Sequence, residues 1–171
     1  MKWFIKCLRQ YADFKGRARR KEYWWFAVVN FIITMVFLIP YFVQMFKLGL
    51  SGVELSEKEV YGYLFSMPYF WIYVVYYVAM LLPGLAVCVR RLHDIGRSGW
   101  WTLFIFSASI LNLVGNVIKD SSFALSILIT FVALAISVVG LIWMFTDSQP
   151  GENKWGPNPK EPLDYSTEPQ Q

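Results

Sequence analysis

The stretch Ser121–Thr146, SSFALSILITFVALAISVVGLIWMFT, runs for 26 residues without an Asp, Glu, Lys or Arg. A hydrocarbon layer about 30 Å thick is crossed by about 20 helical residues, so this stretch is long enough to span it. Three others share the property: Tyr23–Phe46, Val60–Val89 and Ser98–Ile118, of 24, 30 and 21 residues. All 28 Lys, Arg, Asp and Glu of the chain lie outside these four stretches. A single charge at the centre of a span would cost about 2.5 to 3.5 kcal/mol, which is reason enough for their absence. A buried helix of a water-soluble bundle would still carry a polar stripe, and these do not. The spacing therefore predicts an all-α polytopic membrane protein. Its four transmembrane helices fall at about residues 23–46, 65–89, 99–118 and 122–145, forming a single four-helix domain over 1–160. Residues 161–171 read as a disordered cytoplasmic tail.

Composition agrees. The chain has 171 residues, 56% hydrophobic, 19% aromatic and 16% charged. A soluble protein of this size has too much surface for its volume to hide that apolar area. A cleaved signal peptide is not expected, because the first apolar stretch is too long and no small-residue cleavage site follows it. Arg19-Arg20 resembles a twin-arginine signal, but Glu22 and the same long span argue against that reading.

Charge sets the predicted orientation. Thirteen Lys and Arg lie on one side of the spans: eight before Tyr23, then Arg90, Arg91, Arg97, Lys154 and Lys160. The other side holds Lys47, Lys58 and Lys119. The positive-inside rule puts the richer side, with both chain ends, in the cytoplasm of a bacterial inner (plasma) membrane. The outer connections read as a short acidic loop from Lys47 to Glu59 and a tight hairpin at Lys119-Asp120. Trp24, Trp25, Trp100, Trp101 and Trp143 cluster at the inner boundary, and Tyr41, Tyr61, Tyr63 and Tyr69 lie towards the outer one, as amphipathic rings prefer. The net charge of +4 points to anionic phospholipid as partner. Nucleic acid is excluded as a partner, since the cations are spread along membrane flanks. Cys7 and Cys88 both fall on the reduced side and read as small hydrophobes, with no disulfide and no structural zinc. No metal or other cofactor is expected.

Residues 3–14 place Trp3, Phe4, Cys7, Leu8, Tyr11 and Phe14 at helical spacing, with Lys2, Lys6, Arg9 and Asp13 on the other face. That pattern predicts a short interfacial amphipathic helix, an anchor or a docking element. In the second span Pro68 can begin the helix, and Pro83-Gly84 removes a backbone hydrogen bond inside it, so a kink is expected. The aromatic stripe Tyr69, Tyr73, Tyr76, Tyr77 and Met80, together with Asn30, Thr34, Asn112 and Asn116, reads as packing between helices or as a polar-lined path.

The least membrane-like stretch is Arg90-Arg91-Leu92-His93-Asp94-Ile95-Gly96-Arg97-Ser98-Gly99-Trp100-Trp101. It puts three cations, the only histidine and a carboxylate into one predicted turn. Ser98 is placed to cap the third span, leaving free N–H groups beside Arg97 for an anion such as a lipid phosphate. The plainer reading is that the cations hold the loop inside and Asp94 neutralises a neighbour. After the fourth span, Ser148 to Pro159 contains Pro-Gly and Gly-Pro-Asn-Pro, which demand successive turns. The order of the spans brings this loop, the arginine turn and Lys15–Glu22 to one face. The candidate cluster is Arg17, Arg20, Glu22, Arg90, Arg91, His93, Asp94, Arg97, Ser98, Asp147, Asn153 and Trp155, as a headgroup site or as a salt-bridge latch.

Three of these segments carry a family resemblance. They are Phe14-Lys15-Gly16-Arg17-Ala18-Arg19-Arg20-Lys21-Glu22-Tyr23-Trp24, Arg90 to Trp101, and Gly151-Glu152-Asn153-Lys154-Trp155-Gly156-Pro157-Asn158-Pro159. In this order the chain resembles the bacterial inner-membrane family catalogued as domain of unknown function 805, the YhaH/YhaI-like proteins. Its departures are Ile95-Gly96 and a longer acidic outer loop. The resemblance implies a multi-span inner-membrane protein and carries over no catalytic residues.

The functional expectation is a non-enzymatic protein that binds lipid headgroups or a protein partner through its cytoplasmic face. The alternative is a small transporter or channel. Four helices rarely enclose a pore alone, so that alternative implies a homo-oligomer. A third reading, a phospholipid-modifying enzyme, would use His93 as general base oriented by Asp94 or Asp147.

Overall fold

The computed structural model describes residues 1–52 and 56–160. The tail expected to be disordered, 161–171, lies outside them. The described residues form six helices: α1 (Lys2–Arg9), α2 (Arg20–Leu50), α3 (Glu57–Ser66), α4 (Pro68–Asp94), α5 (Trp101–Ile118) and α6 (Phe123–Phe145). Four of them, α2, α4, α5 and α6, are long and apolar enough to cross a membrane. Their large apolar side chains stay exposed along the spans, as at Phe31, Val75, Val117 and Leu128. Helices that leave such side chains uncovered need an apolar solvent, and helices are the open-chain form that satisfies its own backbone there.

Packing divides the chain into two compact units. The first comprises Met1–Ala12 and Trp24–Gly84. In it, α1 turns its apolar side onto spanning helices: Phe4 stacks on Phe26 at 5.6 Å and Cys7 is fully buried. The Tyr11 hydroxyl donates to the carbonyl oxygen of Ala79. Tyr76 donates to Asn30 Oδ1 at 2.6 Å, joining α4 to α2 below the ring contacts of Phe37 with Tyr73 and Tyr76.

One expectation for this unit needs correction. The outer connection is not a plain acidic loop: α2 runs on to Leu50, and Glu57–Ser66 is helical. The reason is a capping box, in which the Ser56 N–H and hydroxyl donate to the Glu59 carboxylate at 2.8 and 2.7 Å, and the Glu59 N–H reaches the Ser56 hydroxyl at 3.4 Å. These hydrogen bonds from Ser56 hold the Glu59 carboxyl below its usual range. The second helical span then begins at Pro68, where a missing N–H costs nothing.

The second unit comprises Asp13–Tyr23 and the chain from Leu85 onward. Here α4 continues through Arg90, Arg91, His93 and Asp94, so the first half of the expected turn is helix. The helix stops in a Schellman motif: Gly96 has φ +78°, its N–H reaches His93 O at 3.1 Å, and Arg97 N–H reaches Leu92 O at 2.9 Å. Ser98 does not cap α5. That helix starts at Trp101 with Trp100 at its N-cap, and Ser98 instead gives its backbone carbonyl to the Trp101 N–H at 3.1 Å. The pair α5 and α6 packs closely at Gly140, where an added Cβ would sit 3.2 Å from Ile105.

Candidate functional site

Asp94 is the centre of the polar cluster. Ending α4 in full burial, its carboxylate would be costly to hold without partners. Arg17 Nε donates to Oδ1 at 3.0 Å, while Arg91 Nη1 and the Ser148 hydroxyl, the latter at 2.6 Å, donate to Oδ2. The Asp94 backbone carbonyl accepts the Gln149 N–H at 2.8 Å. The side chains of Arg17 and Arg91 are 1% and 0% exposed, so both ion pairs are dry.

Arg17 reaches this position because Gly16, at φ +78°, turns the chain and Ala18 N–H binds the Arg90 carbonyl at 3.0 Å. Its remaining N–H groups go to backbone carbonyls of the closing loop: Gln149, Gly151 at 2.7 Å and Gly156 at 3.3 Å. A planar guanidinium with five donors suits such a crown of acceptors, and an ammonium does not. Arg91 uses Nε and Nη2 on the carbonyls of Met144 and Thr146. The last α6 carbonyls have no partner within their own helix, so a cation from α4 satisfies them.

Around this centre lie further pairs. Arg20 donates to Phe145 O at 3.2 Å and pairs with Asp147 at 3.2 Å, both side chains largely exposed. Asp147 also meets Lys160, and that hydrogen bond, ahead of the Ser148 N–H, holds its carboxyl below the usual carboxylate range. Glu22 and Arg90 form a buried pair at 3.6 Å. Asn153 donates to the His93 carbonyl at 3.0 Å and to Gln149 Oε1 at 3.1 Å, tying the closing loop to the end of α4.

The histidine is held in a packed position. Its ring lies 4.5 Å from Trp155 at an interplanar angle of 11°, and Nδ1 sits 3.2 Å from Gly16 O. A carbonyl only accepts, so that contact assigns the ring proton to Nδ1. Neither carboxylate expected to orient His93 does so: Asp94 is engaged by Arg17, Arg91 and Ser148, and Asp147 by Arg20 and Lys160. The general-base arrangement is absent among the described residues. No group of three His, Cys, Asp or Glu there is placed to hold a metal.

Arg97 stands apart from the latch. Its guanidinium lies 4.2 Å over the Trp143 ring and 5.7 Å from Trp101, two indoles that themselves meet at 5.3 Å. Among the described residues no carboxylate lies within ion-pair distance of it. The neighbouring Trp100 is 79% exposed. Of the twelve predicted residues, Arg17, Arg91, His93, Asp94, Asn153 and Trp155 come together around one centre, Arg20 and Asp147 border it, Glu22 and Arg90 pair with each other, and Arg97 and Ser98 lie outside. Ser148, Gln149, Gly151, Gly156 and Trp143 were not foreseen; the Pro150-Gly151 turn was the signal for the first three.

The family described as "Protein of unknown function (DUF805)" matches residues 11–157, from Tyr11 through the end of the loop that closes on Arg17. The chain belongs to the DUF805 family. Three similar relatives come from Escherichia coli strain K12. Inner membrane protein YhaH is 34% identical over 160 residues, 94% of this chain and 98% of the relative. Inner membrane protein YhaI is 31% identical over 160 residues, 94% and 97% of the two chains. Uncharacterized protein YiiR is 31% identical over 147 residues, 84% of each. No solved structure matches the chain. With its four spanning helices, this DUF805 chain is an integral inner-membrane protein. Every residue of the Asp94 centre lies inside the matched region, and α1 lies before it.

Proposed function

We propose that this protein is a non-enzymatic membrane protein that holds anionic phospholipid headgroups on the cytoplasmic face, where both chain ends also lie. The carrying observation is the Arg97 guanidinium, stacked on Trp143 with no anionic partner among the described residues. An indole face orients a guanidinium without neutralising it, so the N–H groups at its edge stay available to a phosphate. The neighbouring indoles of Trp100, Trp101 and Trp143 support a headgroup depth for that cation, since indoles favour that boundary. The thirteen-to-three imbalance of cations supports the orientation. Arg17, Arg91 and Asp94 then serve as the frame: their charges are satisfied internally, and they fix the segment from which Arg97 projects.

Native mass spectrometry of the protein purified with phosphatidylglycerol tests the reading. Arg97→Gln is expected to lower lipid retention several-fold while leaving thermal unfolding unchanged. Equal retention by the variant and the parent protein would overturn it.

A further inference from the structure

Beside the close contact of Gly140 with Ile105, α5 and α6 line a cavity of about 260 Å³ within the second compact unit. Its α5 wall is Ile105, Ala108 and Ser109, whose spacings of three and four put them on one helical face. Its α6 wall is Ser137, Gly140 and Leu141, spaced in the same way, and Cys88 joins the lining from α4. Ser109 stands midway along α5 and is exposed, as is Ser137, while Leu141 is 50% exposed. Both helices are long and apolar enough to cross a membrane, and residues exposed midway along such a helix meet lipid. The cavity therefore opens sideways into the hydrocarbon layer. Most hydroxyls on these two walls are used up locally: Ser107 donates to Phe104 O at 2.6 Å, and Thr130 and Ser137 donate to Ser126 O and Ala133 O at 2.9 Å. The Ser109 hydroxyl has no hydrogen-bond partner among the described residues.

We propose that this cavity binds a small membrane-soluble ring of the quinone class, with the Ser109 hydroxyl donating to a ring carbonyl and Ile105 and Leu141 against the ring. A mouth at hydrocarbon depth admits molecules dissolved in lipid and shuts out those dissolved in water. The volume lies just under the roughly 300 to 1,000 Å³ of sites for drug-sized ligands, so the occupant is small. A second transmembrane helix, about 10 to 12 Å across with its side chains, is too thick to enter. An acyl chain is slender enough, but it leaves the Ser109 hydroxyl unmet, which is costly where no water replaces the bond. A ring carbonyl is an acceptor on a flat and otherwise apolar body, so it answers the hydroxyl and the apolar walls together. The lining contains no charged residue, and the site is separate from the Arg97 stack.

The experiment measures ubiquinone-1 by equilibrium dialysis against the full-length protein in detergent micelles, with protein-free micelles as the reference. The ring of that probe has no free carbon to which a thiol adds, so Cys88 stays unmodified. Saturable binding above the reference is expected. Ser109→Ala should weaken it about fivefold, through loss of one neutral hydrogen bond. Ser109→Phe, which fills the cavity from an exposed position, should abolish it. Ser107→Ala should keep the parent affinity, because that hydroxyl is already bonded within α5. Thermal unfolding of each variant at the parent temperature establishes that it is folded. Binding by the parent protein no greater than the reference overturns the proposal, as does parent-like affinity in Ser109→Phe. Equal affinities of Ser109→Ala and the parent overturn the hydrogen bond to the ring. Arg97→Gln is expected to bind ubiquinone-1 as the parent does, so loss of headgroup retention and loss of ring binding are separate failures.

Discussion

Tyr11 supplies the hydrogen bond that Pro83 takes away. Proline has no N–H, so the carbonyl four residues earlier, that of Ala79, loses its helical donor; the Tyr11 hydroxyl donates to that oxygen. A bare carbonyl is expensive where no water can replace the bond. The relationship explains why the N-terminal segment docks at α4, and it makes the proline break tolerable inside a span.

Tyr11→Phe should therefore lower stability by about 1 to 3 kcal/mol, the range for leaving an acceptor unmet where no water replaces the donor. Pro83→Ala restores an N–H to Ala79, so in that background the same substitution should cost little. Thermal unfolding of the four proteins of the cycle in detergent gives the coupling; equal costs in both backgrounds would mean that the bond to Ala79 contributes nothing.

Asp94 gathers Arg17, Arg91 and Ser148 in full burial. Asp94→Ala leaves two buried guanidinium groups facing each other, and should cost about 3 to 5 kcal/mol. The loss should appear first as faster amide hydrogen exchange in residues 148–160, which the carboxylate and the Gln149 bond hold down. Arg17→Lys should repair little of an Arg17→Ala defect, because an ammonium cannot reach the Gln149, Gly151 and Gly156 carbonyls together.

Gly96 and Gly151 have similar positive φ values, +78° and +65°, and unlike surroundings. A Cβ at Gly96 would meet Gln149 Oε1 at 2.7 Å, and one at Gly151 meets nothing within 4 Å. Gly151→Ala should cost about 1 to 2 kcal/mol from the left-handed backbone alone. Gly96→Ala should cost more, and Gln149→Ala should recover only that excess. Denaturant or thermal unfolding ranks the variants.

Asp147 titrates below its usual value of 3.8, held down first by Lys160 and then by the Ser148 N–H. Its folded value lies under its unfolded one. The linked stability is thus complete above about pH 4 and fades as pH falls through the folded value. A carbon-detected titration of the Asp147 carboxyl should show the lowered midpoint, and Lys160→Gln should raise it. A midpoint at or above 3.8 in the parent protein would contradict the Lys160 contact.

The four spans were legible because charge is excluded from lipid at a cost no other term offsets, so Tyr23–Phe46 and its three counterparts announce themselves. Helix α3 was hidden by its own charges: Ser56 and Glu59 stand at capping-box spacing, but Glu57, Lys58 and Glu59 together look like a solvated loop. The arginine stretch was read as one site, and Gly96 divides it. Arg90 and Arg91 remain on the helix and turn inward, whereas Arg97, past the left-handed residue, leaves in another direction. Most acceptors that hold Arg17 and Arg91 are backbone carbonyls, which carry no signature in the amino-acid sequence. Asp94 was recognisable as a neutralising partner; its two arginines were not distinguishable from the others until the loop after α6 was in place.

Rotational-echo measurement between the guanidinium nitrogens of single arginines and lipid phosphorus, in phosphatidylglycerol bilayers, separates the frame from the site. Dephasing is expected at Arg97, with N–O contacts of about 2.7 to 2.9 Å to phosphate, and none at Arg17 or Arg91. Phosphorus contact at Arg17 or Arg91, or its absence at Arg97, would contradict it.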